Sequence, residues 1–303
     1  MLWGRDPAHL AELRRERQNA RYLPEARFPD TLTLETALAA AVGGASEVLV
    51  AVPSHAFRAV LSRLAPVLPD HARVAWATKG FELDTGKLPH EVAREELAGR
   101  RSMAVLSGPT FAREVGAGLP TAMTVASADT AFAEALASSL SNDSFRVYTS
   151  TDIIGVEVGG AVKNVLAIGA GLSDGLGFGA NTRVALITRG LAEMMRLGMA
   201  LGARSETFIG LAGMGDLVLT CTDDQSRNRR LGLMLARGRT ADAAAREIGQ
   251  VVEGVPAAKA VWSVAQRLSV EMPIIEQVHR ILYEAAPPAE AVRALMTRTL
   301  KPE

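Results

Sequence analysis

The first half of the chain alternates short apolar runs with amphipathic stretches. Five runs have the length and composition of buried strands: residues 48–52, 74–77, 103–106, 122–126 and 145–148. Stretches with helical spacing of apolar residues lie between them, at residues 55–67, 90–97 and 130–140. Strands that are apolar throughout are buried on both faces, so this α/β alternation predicts a mainly parallel sheet covered by helices.

The second half shows no strand pattern after about residue 156. It consists of helical stretches rich in Ala, Leu, Met and Gly, separated by glycine or proline turns. We therefore predict an α/β domain over residues 1–156 and an all-helical domain over residues 157–303. Ligands of parallel sheets bind beyond the carboxyl ends of the strands, which directs attention to the loops at 53–55, 78–80 and 107–112.

Composition narrows the function classes. Among 303 residues, 48% are hydrophobic and 22% charged, and 33 basic residues balance 33 acidic ones. A nucleic-acid binder usually carries a basic excess, so we expect no nucleic-acid partner. The single cysteine, Cys221, excludes an intrachain disulfide, suits a reducing cytoplasm and reads best as a small buried thiol. No uncharged apolar stretch is long enough for stable membrane insertion.

Lys163 is the first candidate for chemistry. It is the only charge between Glu157 and Asp174, within a small and apolar helical stretch. Burial lowers the pKa of a lysine and makes it usable as a general acid or base. A structural ion pair explains the same pattern equally well. Asp216, between glycines and apolar residues, is a natural partner for a buried ammonium, although Asp also commonly caps helices.

The segment Ser226-Arg227-Asn228-Arg229-Arg230 is the second candidate. Arginines beside Ser and Asn hold phosphates by forked bonds, and a helix beginning at Ser226 adds amide donors. One alternative interpretation is a solvated basic helix face. Nucleic-acid contact is another, and the neutral charge balance argues against it.

Lys79 and Gly108 each follow a predicted strand, where a cation or a close backbone approach meets a ligand. A surface lysine and an ordinary turn are the plainer interpretations. The glycine patterns at 169–171 and 175–179 follow a helical stretch, so we reject both as phosphate-binding turns.

Nine blocks of the sequence together resemble the bacterial NAD(P)-dependent glycerol-3-phosphate dehydrogenases, in family order over essentially the whole chain. The blocks are LWGRDP (2–7), VPSH (52–55), ATKG (77–80), SGPTFA (107–112), GGAVKN (159–164), GMGDL (213–217), SRNRR (226–230), IGQVVEG (248–254) and VEMPI (270–274). The resemblance implies a Rossmann-like dinucleotide-binding domain, followed by a helical substrate-binding domain. It also implies interconversion of dihydroxyacetone phosphate and sn-glycerol 3-phosphate, which supplies glycerophospholipid synthesis.

The resemblance further implies roles for individual residues. Lys163 would exchange the proton at the substrate carbon. The substrate would be lined by Lys79, Gly108, Thr110, Lys163, Asp216, Ser226, Arg227 and Asn228. The nicotinamide cofactor, NADP or NAD, would contact Arg5, Lys79, Ala112, Arg227, Val251 and Glu253. An arginine at the position of Arg5 accepts the 2′-phosphate of NADP, which favours NADPH. A homodimer is plausible, and no metal is expected.

The resemblance breaks at the start of the chain. Family members carry a first strand, a Gly-x-Gly-x-x-Gly turn, a first helix and a second strand ahead of Trp3-Gly4-Arg5, whereas here Met1 falls inside that second strand. The expected explanation is a start codon placed too late, because Lys163, Asp216 and Arg227 keep their family neighbours. The alternatives are a catalytically impaired remnant that binds a ligand or a subunit, and a related ketopantoate or hydroxyacid reductase.

Replacement of Lys163 tests the acid–base assignment. We expect Lys163→Ala to lower kcat by at least about 100-fold, the usual contribution of a general acid, while the dissociation constant for NADPH changes little. Steady-state kinetics and NADPH fluorescence titration measure the two quantities. Near-normal turnover would refute the assignment.

Overall fold

The computed structural model describes residues 1–99, 101–297 and 299, which fold as two compact units. The first unit contains Met1–Thr78, His90–Leu106 and Thr110–Ile153. The second contains Lys79–Pro89, Ser107–Pro109 and the described chain from Ile154 onward. The division differs from the predicted one at residue 156, because two short segments that follow strands group with the helical unit.

The first unit is built on parallel strands. Its strands are β1 (Leu2–Trp3), β2 (Gln18–Asn19), β3 (Leu23–Arg27), β4 (Leu34–Glu35), β5 (Glu47–Val50), β6 (Arg73–Trp76), β7 (Met103–Ser107, whose last residue groups with the second unit), β8 (Thr121–Ser127) and β9 (Phe145–Ser150). The main sheet has the order β5-β6-β7-β8-β9, with parallel registers in the pairs β5–β6, β6–β7 and β8–β9. This confirms the predicted mainly parallel sheet. Separately, β1 pairs in parallel with β4, and β2 and β3 form an antiparallel hairpin.

The first unit contains six helices among its described residues. They are α1 (Pro7–Glu16), α2 (Leu38–Val42), α3 (Ser54–Leu64, continued by a 3-10 turn at Ala65–Val67), α4 (Pro89–Glu96), α5 (Ala112–Gly116) and α6 (Thr130–Leu140). Four of these six helices begin at a capping aspartate or beside a proline, namely α1, α3, α4 and α6. The carboxylate of Asp129 accepts a hydrogen bond from the amide of Phe132 at the start of α6. Phe132 is fully buried beneath the sheet residues Val125 and Ala104, which form one core cluster with it.

From Ile154 onward the described residues of the second unit form helices joined by turns, with no strand among them, as predicted. Its helices are α7 (Ile153–Gly175), α8 (Ala180–Ala200), α9 (Ser205–Ile209), a π-helical turn (Leu211–Gly215), α10 (Asp216–Thr222), α11 (Arg227–Ala236), α12 (Ala241–Ile248), α13 (Gly254–Arg267), α14 (Pro273–Tyr283) and α15 (Pro288–Met296). Every residue of α7 from Gly155 to Ser173 is buried. By length and composition α7 is apolar enough to cross a membrane, yet 89% of its most apolar window is buried inside the protein, as in a core helix.

Glycines let α7 and α11 touch backbone to backbone. A Cβ at Gly171 would lie 2.0 Å from the carbonyl oxygen of Arg229, and one at Gly232 would lie 2.1 Å from the carbonyl oxygen of Ile168. Side chains are never accommodated at such distances, so these positions fix the spacing of the two helices. The glycine pattern rejected above as a phosphate turn therefore has a packing role.

This close contact generates a stability prediction. We expect Gly171→Ala to lower the free energy of unfolding by about 2–3 kcal/mol, because the backbone of α11 must shift. Gly169→Ala is the matched control in the same helix, since its Cβ would meet nothing closer than Val278 at 3.4 Å. That change should stabilise the helix by up to about 1 kcal/mol. Equal denaturation midpoints for the two variants would contradict the packing argument.

Candidate active site

Lys163 lies in the middle of α7 with only 8% of the residue exposed. A buried ammonium requires a partner, because transfer from water is costly for a charge. The Nζ atom donates to Oδ1 of Asp216 at 2.5 Å and to Oγ1 of Thr220 at 3.1 Å. Both acceptors come from α10, one turn apart. The buried pairing expected for Lys163 and Asp216 is thus present.

Lys79 shares the same carboxylate. Its Nζ donates to Oδ2 of Asp216 at 2.7 Å, so each oxygen of Asp216 binds one lysine. The side chain of Lys79 is 19% exposed and that of Asp216 is 2% exposed. The cluster holds two ammonium groups and one carboxylate, so it has a net positive charge. Lys79 is its most exposed member.

Burial and charge set the protonation of this cluster. Desolvation lowers the pKa of Lys163 to about 8, and the neighbouring Lys79 lowers it too, against the attraction of Asp216. For Asp216 desolvation raises the pKa, but the two lysines outweigh it and hold the pKa below its usual value. The amine of Lys163 therefore exchanges protons near neutral pH, while Asp216 stays ionised. Burial raises the pKa of Cys221 to about 12, which keeps it the inert thiol that was predicted.

A π-helical turn presents Asp216 to the lysines. The turn Leu211–Gly215 precedes Asp216, and its glycines remove side chains that would clash. A Cβ at Gly213 would lie 2.2 Å from the carbonyl oxygen of Phe208, and one at Gly159 would lie 2.4 Å from that of Ala212. Gly213 thus lets the turn fold back against Phe208, and Gly159 lets α7 approach the turn closely enough for the ion pair to form.

The predicted phosphate segment begins α11. Ser226 caps the helix, because its hydroxyl accepts a hydrogen bond from the amide of Arg229 at 3.2 Å. Arg227 is the first helical residue and is partly exposed. Among the residues that the structure describes, its guanidinium makes no hydrogen bond or ion pair. An unpaired arginine beside free helix amides has the chemistry of an anion site.

An amide pair links the two parts of the site. The Nδ2 atom of Asn228 donates to Oδ1 of Asn164 at 2.9 Å, and Oδ1 of Asn228 accepts from the amide of Gly254 at 2.9 Å. Asn164 follows Lys163, and Asn228 follows Arg227. The expectation that Asn228 grips a phosphate therefore needs qualification, since its oxygen and one of its N–H groups already have partners.

Two site residues were not predicted. Thr220 received no role from the sequence, although a hydroxyl four residues after a helical carboxylate lies on the same face. Asn164 was read as part of the lysine motif without a role. The other predicted residues are divided between the two units. Three belong to the second unit: Gly108, with φ of 155°, Val251, which is 49% exposed, and Glu253, which is partly exposed. Three belong to the first unit: Arg5, Thr110 and Ala112.

Within the described part of the chain, no three His, Cys, Asp or Glu side chains come together as metal ligands. The residues expected to hold a nicotinamide cofactor do offer suitable groups. The guanidinium of Arg5 follows β1, is exposed, and has no hydrogen-bond partner among the described residues. A free cation there fits a phosphate of a dinucleotide.

A Rossmann-like parallel sheet followed by a helical unit, with a buried lysine–carboxylate cluster, defines a class of nicotinamide-dependent oxidoreductases. Sequence models of the NAD-dependent glycerol-3-phosphate dehydrogenase N-terminus and C-terminus match residues 1–133 and 152–293. A glycerol-3-phosphate dehydrogenase [NAD(P)+] of Yersinia pestis is 58% identical over 100% of this chain and 90% of its own length. The chain therefore belongs to the NAD-dependent glycerol-3-phosphate dehydrogenase family.

Solved structures agree with this membership. The crystal structure of glycerol-3-phosphate dehydrogenase from Coxiella burnetii superposes with a TM-score of 0.95 at 48% identity, covering 98% of this chain and 91% of that one. A ketopantoate reductase from Ralstonia eutropha has a TM-score of 0.57 at 16% identity, covering 95% and 90%. The latter likeness shows a shared fold alone, so nothing favours the ketopantoate alternative.

The shared carboxylate generates a prediction on protonation. In Asp216→Asn the attraction that supports the charged form of Lys163 is lost, while burial and Lys79 still oppose it. We expect the pKa of Lys163 to fall below about 8 by roughly one unit or more. Titration of isotope-labelled lysine by NMR measures it. Thr220→Val, which keeps the carboxylate, should change the pKa less; an unchanged pKa in Asp216→Asn would contradict the assigned ion pair.

Proposed function

We propose that the chain interconverts dihydroxyacetone phosphate and sn-glycerol 3-phosphate with a nicotinamide cofactor. The observation that carries the proposal is the buried Lys163–Asp216–Lys79 cluster, tied through Asn164 and Asn228 to the start of α11, where Arg227 is unpaired. A proton-exchanging amine and an anion site held by the same two helices suit a carbonyl substrate that carries a phosphate. Family membership supports the same reaction.

The proton chemistry belongs to Lys163. The bound cofactor supplies hydride to the carbonyl carbon. As negative charge develops on the carbonyl oxygen, the ammonium of Lys163 donates a hydrogen bond and then its proton. With a pKa of about 8, this amine is largely protonated at neutral pH, as reduction requires. In alkaline solution it becomes neutral and accepts the proton from glycerol 3-phosphate, so the oxidation direction is favoured as pH rises through the pKa.

The neighbours of Lys163 hold it ready for this exchange. Asp216 and Thr220 fix the direction of its Nζ atom, and Lys79 adds positive charge beside the same oxygen. Gly108 and Thr110 line the carbon chain of the substrate in this proposal. Because these contacts orient the reacting groups before the reaction, they lower its activation barrier.

The phosphate binds at the start of α11. Arg227 supplies a forked cation. The hydroxyl group of Ser226 and the first amides of the helix donate hydrogen bonds to the phosphate oxygens. Asn228 contributes through its remaining N–H and by holding the segment in place. Binding there keeps the phosphate away from the reacting carbon and orients the carbonyl.

NADPH is the proposed cofactor of choice, with NADH accepted. Arg5 holds the 2′-phosphate, which an acidic residue at this position would repel. Lys79, Ala112, Arg227, Val251 and Glu253 complete its contacts, as the family resemblance implies. The ratio of kcat/KM for the two cofactors measures this preference. The reaction supplies glycerophospholipid synthesis in the cytoplasm.

Assembly is a further part of the proposal. The exposed apolar side chains of Val184 (62%) and Ile209 (63%) support a homodimer, which sedimentation analysis tests.

The function is tested by NADPH oxidation with dihydroxyacetone phosphate and with dihydroxyacetone, which lacks the phosphate. We expect a strong preference for the phosphorylated substrate. Arg227→Ala should raise its KM by about 10–100-fold, the cost of one charge-assisted contact, and should leave kcat/KM for dihydroxyacetone nearly unchanged.

Arg230→Ala serves as the control of equal charge change within the same helix. An unaltered KM in Arg227→Ala would place the phosphate elsewhere. Failure of the wild type to distinguish the two substrates would refute the proposed function.

A further inference from the structure

Asp174 and Arg229 form a buried ion pair that the reaction does not use. The Nη2 atom of Arg229 donates to Oδ2 of Asp174 at 2.6 Å, and only 10% and 7% of the two side chains are exposed. Asp174 also accepts from Nε of Arg183 at 2.9 Å. The desolvation of two charges can cost more than their attraction returns, so such a pair is weak evidence for a role in stability alone.

The position of Asp174 argues against a role in stabilising its own helix. It lies in the last turn of α7, where the carbonyl end of the helix dipole disfavours a carboxylate. The basic groups that offset this charge come from other helices, Arg183 from α8 and Arg229 from α11. The pair therefore serves the contact between helices rather than either helix alone.

Arg229 is fixed by both its side chain and its backbone. Its Nη1 atom bonds to Asp224, which precedes the Ser226 cap, so the guanidinium spans the turn into α11. Its carbonyl oxygen lies against the bare Cα of Gly171. Arg229 thus holds the first turn of α11 to the end of α7 through both its side chain and its backbone, in addition to the hydrogen bond between Asn228 and Asn164.

Arg227 benefits from this arrangement because it lies two residues earlier. Successive helical residues turn by about 100°, so the side chains of Arg227 and Arg229 leave α11 on nearly opposite sides. Arg229 is used to hold α7, whereas Arg227 remains without a partner among the described residues. The helix that is held, α7, is also the helix that carries Lys163.

We propose that Asp174 and Arg229 are positioning residues, which set the distance between the phosphate-binding Arg227 and the proton-exchanging Lys163. The proposal rests on the function proposed above. It predicts that loosening the pair harms use of the substrate phosphate specifically, because α11 then shifts relative to α7 while Lys163 keeps its own partners. Neither residue touches the substrate.

The test compares kcat/KM for dihydroxyacetone phosphate with that for dihydroxyacetone in Asp174→Asn, which preserves shape and removes charge. We expect the ratio to fall by about 10–100-fold, through a higher KM for the phosphorylated substrate, since small displacements have effects of this size. The value for dihydroxyacetone should stay within about threefold of the wild type, and kcat for the phosphorylated substrate should change little. Loss of both activities in equal proportion would indicate a merely structural role and overturn the proposal, as would an unchanged ratio.

Arg183→Gln is the matched control, because it removes the other partner of the same carboxylate and leaves α11 untouched. Its substrate ratio should equal that of the wild type, and a fall as large as in Asp174→Asn would overturn the proposal. Arg229→Lys keeps the charge but loses the fork that spans Asp174 and Asp224. We expect an intermediate ratio for it, and it carries the same test if Asp174→Asn does not fold. A wild-type enzyme that fails to prefer the phosphorylated substrate would instead refute the underlying function.

Discussion

One carboxylate organises the second unit around its chemistry. Asp216 binds Lys163 through one oxygen and Lys79 through the other, at 2.5 and 2.7 Å. Without it two ammonium groups would share a nearly dry space, and burial would drive at least one of them neutral. The π-helical turn before α10, the bare glycines beside it and the burial of α7 all follow from the need to bring this carboxylate to the lysines.

The helix that carries Lys163, α7, also packs against α11, the helix that begins at the proposed anion site. Backbone contact at Gly171 and Gly232 fixes how α11 meets α7, and the hydrogen bond between Asn164 and Asn228 joins residues adjacent to Lys163 and Arg227. These contacts between α7 and α11 are made by residues within the two helices. In the proposed function, a phosphate at the start of α11 would orient the reacting carbonyl against Lys163 of α7.

Local patterns predicted the elements well and the contacts between them poorly. The helix predicted at 130–140 has those bounds, since a capping aspartate and an amphipathic face lie next to each other in the sequence. The hairpin Gln18–Asn19 with Leu23–Arg27 was missed, because its strands are short, polar and interrupted by Pro24. Lys163 and Asp216 were paired by matching an isolated charge with an isolated partner, whereas Thr220 and Asn164 matter only through a contact across helices. Such long-range geometry leaves no periodic trace in a sequence.

The route of the chain between the two units has a consequence for dissecting the protein. Phe81 and Leu88 are 1% and 2% exposed within the hydrophobic cluster of the helical unit, although they precede its main segment, which begins at Ile154, by more than sixty residues. A fragment starting at Ile154 would lack these anchors together with Lys79, and would expose the apolar surface they cover. We therefore expect the helical half to fold by itself only when the segment 79–89 is supplied in trans or grafted onto it.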